Sequence, residues 1–192
     1  MEDMIVTIFV LCDDLLKALN IKEDPQVKMN NAEVITVGLV AAYFFVGHHD
    51  RSRKFLSEHN YIKNLLSKSR FNRRLHNIDE SIWMFLFQVM SQTFKELNWG
   101  QEYILDSFPV PVCDKIRISK CKIYSGEEYR GYIASKKRYF YGLRVHMLIT
   151  ESRKPVEFYL APGSYNDANV LQSFCFELPS GSMVYGDKAY NN

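Results

Sequence analysis

Through the first hundred residues the apolar side chains recur at helical spacing; beyond Asn98-Trp99-Gly100 the period shortens to two. Ile5, Ile8, Phe9, Cys12, Leu15, Leu16 and Leu19 fall at i, i+3, i+4 and i+7, the stripe of an amphipathic helix. Pro25 breaks it, and residues 33–46 are apolar enough for a buried helix that Gly47-His48-His49-Asp50 stops. Short helices are expected over 51–59 and 69–76. The clearest helix covers 79–97: Asp79 can cap it, Ile78 and Trp83 stand where a hydrophobic staple would, and Ile82, Phe85, Leu86, Val89, Met90 and Leu97 form the stripe predicted to be buried.

Past residue 100 the pattern predicts strands. Residues 103–110 are a short apolar run with an aspartate inside it, ended by Pro109 and Pro111. Residues 139–150 alternate, placing Leu143, Val145, Met147 and Ile149 on one face; 151–154 reads as a tight turn and 156–160 as the return strand. Asn166 or Asp167 can cap a helix over 168–176 carrying Val170, Leu171 and Phe174, and Ser180-Gly181 turns into a last strand over 183–187. The order is strand, insertion, strand, strand, helix, strand. The fold class predicted is α+β, with a helical region over 1–100, an α/β domain over 101–192 and a boundary near 98–102.

Composition narrows the function classes. With 47% hydrophobic and 14% aromatic residues, 9 Gly and 6 Pro, the chain is neither disordered nor collagen-like. Asp13, Asp14 and Lys17 interrupt the first apolar run before it reaches the roughly 18 residues that span a bilayer. No signal-peptide pattern is seen, so a soluble, cytoplasmic protein is expected. Cysteines 12, 113, 121 and 175 form no C-x-x-C pair, which argues against zinc and disulfides and for small buried hydrophobes.

The net charge of +2 hides a segregation. Residues 51–76 hold eight basic side chains against Glu58 alone, and residues 111–144 hold nine against three acids. The first fifty residues run the other way, with eight acids and three bases. Two basic patches suit a polyanion such as DNA, although solvated helix faces look the same.

Two acids stand out. Asp106 lies inside the run 103–108, and Asp187 closes the strand 183–187. A carboxylate in an apolar strand loses hydration at a cost of several kcal/mol unless a cation or donors replace the water. If the two strands are neighbours the carboxylates converge, and a hard divalent cation relieves their repulsion. An edge strand facing water for Asp106, and a turn cap for Asp187, are the alternatives.

These residues resemble a family. Ile104-Leu105-Asp106-Ser107-Phe108-Pro109-Val110, Tyr129-Arg130-Gly131-Tyr132, the stretch from Ser135-Lys136-Lys137-Arg138-Tyr139 to Arg144-Val145-His146, and Gly186-Asp187-Lys188-Ala189-Tyr190 are similar, in that order, to bacterial insertion-sequence DDE transposases, most closely the nine-eighty-two family. The resemblance implies a helix-turn-helix-like region for terminal inverted repeats, then a ribonuclease H-like domain whose two Asp and one Glu hold two Mg²⁺ (or Mn²⁺) ions for cutting and joining DNA. Asp106 and Asp187 match the first two acids, as catalytic residues and metal ligands. The family's Glu lies on a helix well beyond the second Asp. Nothing here matches it, Glu151, Glu157 and Glu177 included. The expectation is therefore a truncated domain, catalytically incomplete alone; the alternatives are a non-catalytic DNA-binding regulator or a degenerate remnant.

The residues suggested for DNA are Arg70, Asn72, Arg73 and Arg74, on a helix whose Phe71 and Leu75 turn to the core, and Arg130, Lys136, Lys137 and Arg138 in a basic insertion whose Tyr124, Tyr129 and Tyr132 could stack on splayed bases or pack on the sheet. His146 and Lys188 are expected to support the acids, and Asp167 to cap a helix. His48-His49 reads as a helix-end pair rather than a metal pair. Double-stranded DNA is the partner expected, in a nucleoid-associated setting. Self-association is left open, since no heptad seam is present.

Overall fold

The computed structural model describes residues 1–114, 120, 122–124 and 126–190. Cys121, part of the 111–138 insertion and the last two residues lie outside the described residues. The chain divides into two compact units, Met1–Phe87 and Gln88–Asn192.

The first unit is helical: α1 (Glu2–Ala18), α2 (Asn31–Phe44), α3 (His49–Glu58), α4 (Lys68–His76) and the start of α5 (Glu80–Glu96). Its core gathers Ile5, Cys12 and Leu16 of α1, Val34, Ile35, Val37 and Val40 of α2, Leu56 of α3, Phe71 of α4, and Ile78 and Ile82. α2 is apolar on all sides because α1, α3 and α4 all pack against it. It begins two residues before the predicted start, at a capping box: the Glu33 amide donates to Asn30 Oδ1 and the Asn30 amide to Glu33 Oε2, each at 2.8 Å. The connection from α3 to α4 runs from 59 to 67, longer than the three or four residues of a simple helix-turn-helix. No single helix among the described residues is long and apolar enough to cross a membrane.

The second unit is a mixed sheet of β1 (Glu102–Asp114), β2 (Arg130–Ile133), β3 (Arg138–Thr150), β4 (Pro155–Pro162) and β5 (Met183–Gly186), with α6 (Asp167–Leu171) before β5. β3 is central. It pairs antiparallel with β1 on one side, and with β2 and then β4 on the other. β5 joins the far edge of β1 in parallel, from Glu102↔Met183 to Leu105↔Gly186. The sequence order led us to expect three antiparallel strands, a helix and a parallel strand; β1, β3, β4, α6 and β5 follow it, and the short β2 within the basic insertion is an additional antiparallel strand.

One face of the sheet is sealed. Tyr103, Leu105, Leu148 and Val156 pack with Phe94 of α5, Leu171 of α6, Phe174, Phe176, Leu178 and Tyr190. α5 is tied down over this unit by the Ser91 hydroxyl donating to the Val156 carbonyl at 2.5 Å and by Lys95 paired with Glu157 at 3.0 Å. The other face is open, with Ile104, Phe108, Val110, Leu160 and Tyr185 exposed.

Four expectations change. β1 runs past Pro109 and Pro111: β5 leaves it after Leu105, so the later residues have one neighbouring strand, and a proline nitrogen on the free edge costs no ladder bond. The register shifts between Pro111 and Cys113, where Gly142 lies so close that a Cβ would collide with the Val110 carbonyl. On β3 Phe140, His146, Leu148 and Thr150 are buried on the face opposite the apolar one, where Leu143, Met147 and Ile149 are half-buried and Val145 is buried as well. The stripe on α5 is buried at Ile82, while Phe85, Val89 and Leu97 are exposed, and α6 stops at Leu171 rather than near 176. Of the described cysteines only Cys12 is buried, and burial pushes its thiol up to about 11; Cys175 is exposed.

Candidate active site

Asp106 and Asp187 each follow the last paired residues of β1 and β5, Leu105 and Gly186. Parallel neighbours run about 4.8 Å apart, so register alone sets these two acids side by side, although 81 positions separate them in sequence. Both are exposed, and both line an open cavity of about 490 Å³ with Glu102, Ile104, Glu151 and Tyr185. Leu105, between Tyr103 and Ser107 on the sealed face, forces Asp106 onto the open one by strand alternation.

Local amides fix each carboxylate. The Ser107 amide donates to Asp106 Oδ1 at 2.7 Å and the Ala189 amide to Asp187 Oδ1 at 2.8 Å. No Lys, Arg or His among the described residues lies within ion-pair distance of either acid. Nor do three or more His, Cys, Asp or Glu side chains among the described residues cluster tightly enough to surround a metal. Two anions thus stand side by side with no cation among the described residues paired to either.

Behind them, on the sealed face, is a polar cluster that the sequence only half revealed. Tyr190, buried, brings its hydroxyl to 3.1 Å from His146 Nδ1. The Ser107 hydroxyl donates to Asp167 Oδ1 at 3.1 Å, and Arg144 pairs with the same oxygen at 3.3 Å. His146 Nδ1 lies 3.7 Å from it. Burial raises the Tyr190 phenol well above its ordinary range; Asp167 adds to the rise, and Asp106 and Asp187 add less. Burial lowers the His146 imidazole, against the pull of Asp167, so it stays neutral at pH 7. His146 makes no direct contact with the two acids among the described residues; its neighbours are Tyr190 and Asp167, and Asp167 is held by Ser107, whose amide fixes Asp106. Lys188 is exposed beside Asp187. Asp167 opens α6, but Asn166 is the cap, its Oδ1 accepting from the Asn169 amide. The alternation of β3 pointed to His146; Tyr190, in the single helical turn Lys188–Tyr190, gave no periodic signal.

Residues 98–192 match the family described as the transposase DDE domain. That stretch is similar to a transposase DDE domain. No curated protein and no solved structure matches the chain. DDE transposases use a divalent metal. The donor set of this stretch fits one: Mg²⁺ and Mn²⁺ take carboxylate oxygens, and Mg²⁺ is often held by one or two carboxylates with water and substrate phosphate completing its shell.

The suggested DNA-contacting residues separate into two groups. On α4, Arg70 and Arg73 are exposed and Asn72 is half-buried, while Phe71 is in the core. Arg74 turns inward: its Nη2 meets Glu23 Oε1 at 2.8 Å, Asn31 Oδ1 at 2.9 Å and the Met29 carbonyl at 3.2 Å. Arg53 is likewise internal, pairing with Asp50 at 2.5 Å and donating to the Leu66 carbonyl. In the second unit, Arg130 on β2 and Lys136 and Lys137 at the hairpin tip are exposed, and Arg138 is half-buried at the start of β3. Tyr124 and Tyr129 pack on each other, ring centroids 4.7 Å apart.

Proposed function

We propose that this protein is a DNA transposase of the insertion-sequence nine-eighty-two kind, whose Asp106 and Asp187 bind Mg²⁺ or Mn²⁺ at the open edge of the sheet. What carries the reading is the pair of in-register carboxylates, unpaired with any cation among the described residues, inside the stretch that matches a transposase DDE domain. When bound, a divalent cation activates water or a 3′-hydroxyl and neutralises charge at a phosphodiester. The chain's own part is positional. β1 and β5 hold the two acids in register, the Ser107 and Ala189 amides fix one oxygen of each, and the Tyr190–His146–Asp167 cluster stiffens the strand ends from behind.

Arg70, Asn72 and Arg73 are proposed to engage the phosphates and base edges of terminal inverted repeats and target DNA, in a bacterial cytoplasm. Arg74 braces that helix from inside. Among the described residues no group of three or more acids closes tightly enough to hold a metal, although Glu102 and Glu151 line the same cavity, and this favours a second reading: the chain occupies repeat DNA without cutting it.

Manganese binding tests the proposal. The polypeptide should bind Mn²⁺ by calorimetry, and Asp106→Asn or Asp187→Asn should each weaken binding at least tenfold while leaving duplex binding in chelator intact. Undiminished Mn²⁺ affinity in both variants would overturn it. The double change Arg70→Glu with Arg73→Glu should lower the salt dependence of duplex affinity, log K against log salt, by about 2, since each neutralised phosphate contributes roughly 0.9. Cleavage of a repeat duplex by this polypeptide with Mg²⁺ would show that two acids suffice.

A further inference from the structure

The β2–β3 hairpin turns two tyrosine rings and several cations to the outside. Tyr132 and Tyr139 are partners across the ladder, their centroids 4.9 Å apart and their planes tilted by 50°. Both are about half exposed, at 46% and 52%. The guanidinium carbon of Arg130 sits 4.8 Å over the Tyr139 ring, while its Nη1 is steadied by Glu127 at 3.5 Å. Lys136 and Lys137 close the hairpin, both exposed, with Lys137 in the left-handed region at φ 45°. The nearby Tyr141 is buried and gives its hydroxyl to Glu127 at 2.7 Å. The tyrosines of this segment thus differ: Tyr132 and Tyr139 stand outward beside cations, Tyr124 and Tyr129 are half-buried against each other, and Tyr141 is buried.

We propose that this hairpin is a stacking platform for unpaired bases of a DNA strand, with Arg130, Lys136 and Lys137 on the adjoining phosphates. The proposal rests on the DNA-transposase reading and names a second binding site within it. An exposed aromatic face flanked by cations suits nucleotides whose bases are free of a duplex, because every base offers a π-face and stacking needs no particular sequence. A paired base hides that face in its own stack and offers only groove edges, which a tilted ring pair reads poorly. The platform is also remote from the acids. Tyr139 lies eight residues along β3 from Met147, the partner of Asp106, or about 26 Å of strand. Changes in one site should leave the other intact.

The full 192-residue chain would be tested in chelator with a fluorescent oligothymidylate, with a blunt duplex, and with an oligothymidylate carrying one 2-aminopurine. Tyr132→Ala with Tyr139→Ala should weaken oligothymidylate binding roughly 5- to 100-fold, the range expected for losing one stacked base, with duplex affinity changed less than threefold. Tyr132→Phe with Tyr139→Phe keeps the rings and should restore binding. Should the alanine pair fail to fold, wild-type protein still decides: 2-aminopurine stacked on a ring is quenched, so saturating binding with unchanged fluorescence overturns the platform. Equal losses for both DNA forms overturn it as well. Duplex bound normally with single strands ignored would sink the platform alone. No binding to either DNA would sink the transposase reading with it.

Discussion

Leu105 and Asp106 are consecutive residues of β1, yet one is sealed beneath Tyr190 and Leu171 while the other stands in the open beside Asp187. The same division runs through β3, where His146 and Leu148 are fully buried and Met147 between them is not. On the sealed face His146, Tyr190, Asp167 and Ser107 are partnered with one another, while the Tyr103 hydroxyl and His146 Nε2 are buried without a hydrogen-bond partner among the described residues. On the open face two like charges are tolerated because water, or a cation, reaches them. The contrast shows how a single strand holds a rigid support and a reactive edge within one residue of each other. α4 repeats it in helical form: Phe71 and Arg74 turn in, Arg70 and Arg73 turn out.

The contrast can be broken most forcefully from the sealed side. Leu148→Ala leaves a cavity between Leu105 and Val156 and should cost about 2–5 kcal/mol in denaturant unfolding, whereas Phe108→Ser on the open face should cost under about 1 kcal/mol. Comparable losses would mean that the open face is covered in solution.

A middle-sized effect is expected from α4. Arg74→Met strands the Glu23 carboxylate and the Asn31 side chain and should lower stability by about 1–3 kcal/mol, while Arg73→Met should change it by less than about 0.5 kcal/mol. Duplex affinity should respond in the reverse order, measured on the same two proteins.

The smallest effect concerns acid. Burial holds the His146 pKa below the ordinary value of 6.5, so between the two values the unfolded chain binds the extra proton. Stability from this site is complete above pH 6.5 and is lost as the pH falls toward the depressed value. His146→Gln should remove that part of the slope in unfolding measured from pH 7.5 to 5. An unchanged slope would place the acid sensitivity elsewhere.

Much of this was legible in the chain itself. Periodicity marked the five long helices, α6, β1, β3, β4 and β5 in order, because amphipathic spacing is written by the core each element faces, but it missed β2, four residues inside the segment read as an insertion. The resemblance singled out Asp106 and Asp187, and the register of β1 with β5 set them side by side. What periodicity missed has physical reasons. Leu143, Val145, Met147 and Ile149 are more apolar than the face with His146 and Thr150, yet apart from Val145 they are only half-buried, because α5 and α6 cover the latter face. Pro109 and Pro111 looked like ends because a sequence does not say that β5 would leave the edge of β1 free there. Arg74 looked like its neighbours because its partner, Glu23, lies 51 positions away.

The brevity of β5 has a consequence for how the molecule holds together. It contributes four residues, all exposed, and among the described residues β1 is its one neighbour in the sheet. Joining them closes a loop of some eighty residues, and that closure must be sustained by a short ribbon with little apolar contact. An ion gripped by both aspartates would act as a fastener across that seam. At ten times its dissociation constant it would add about 1.4 kcal/mol to the assembled form. The metal would then be part of the architecture before it took any part in chemistry.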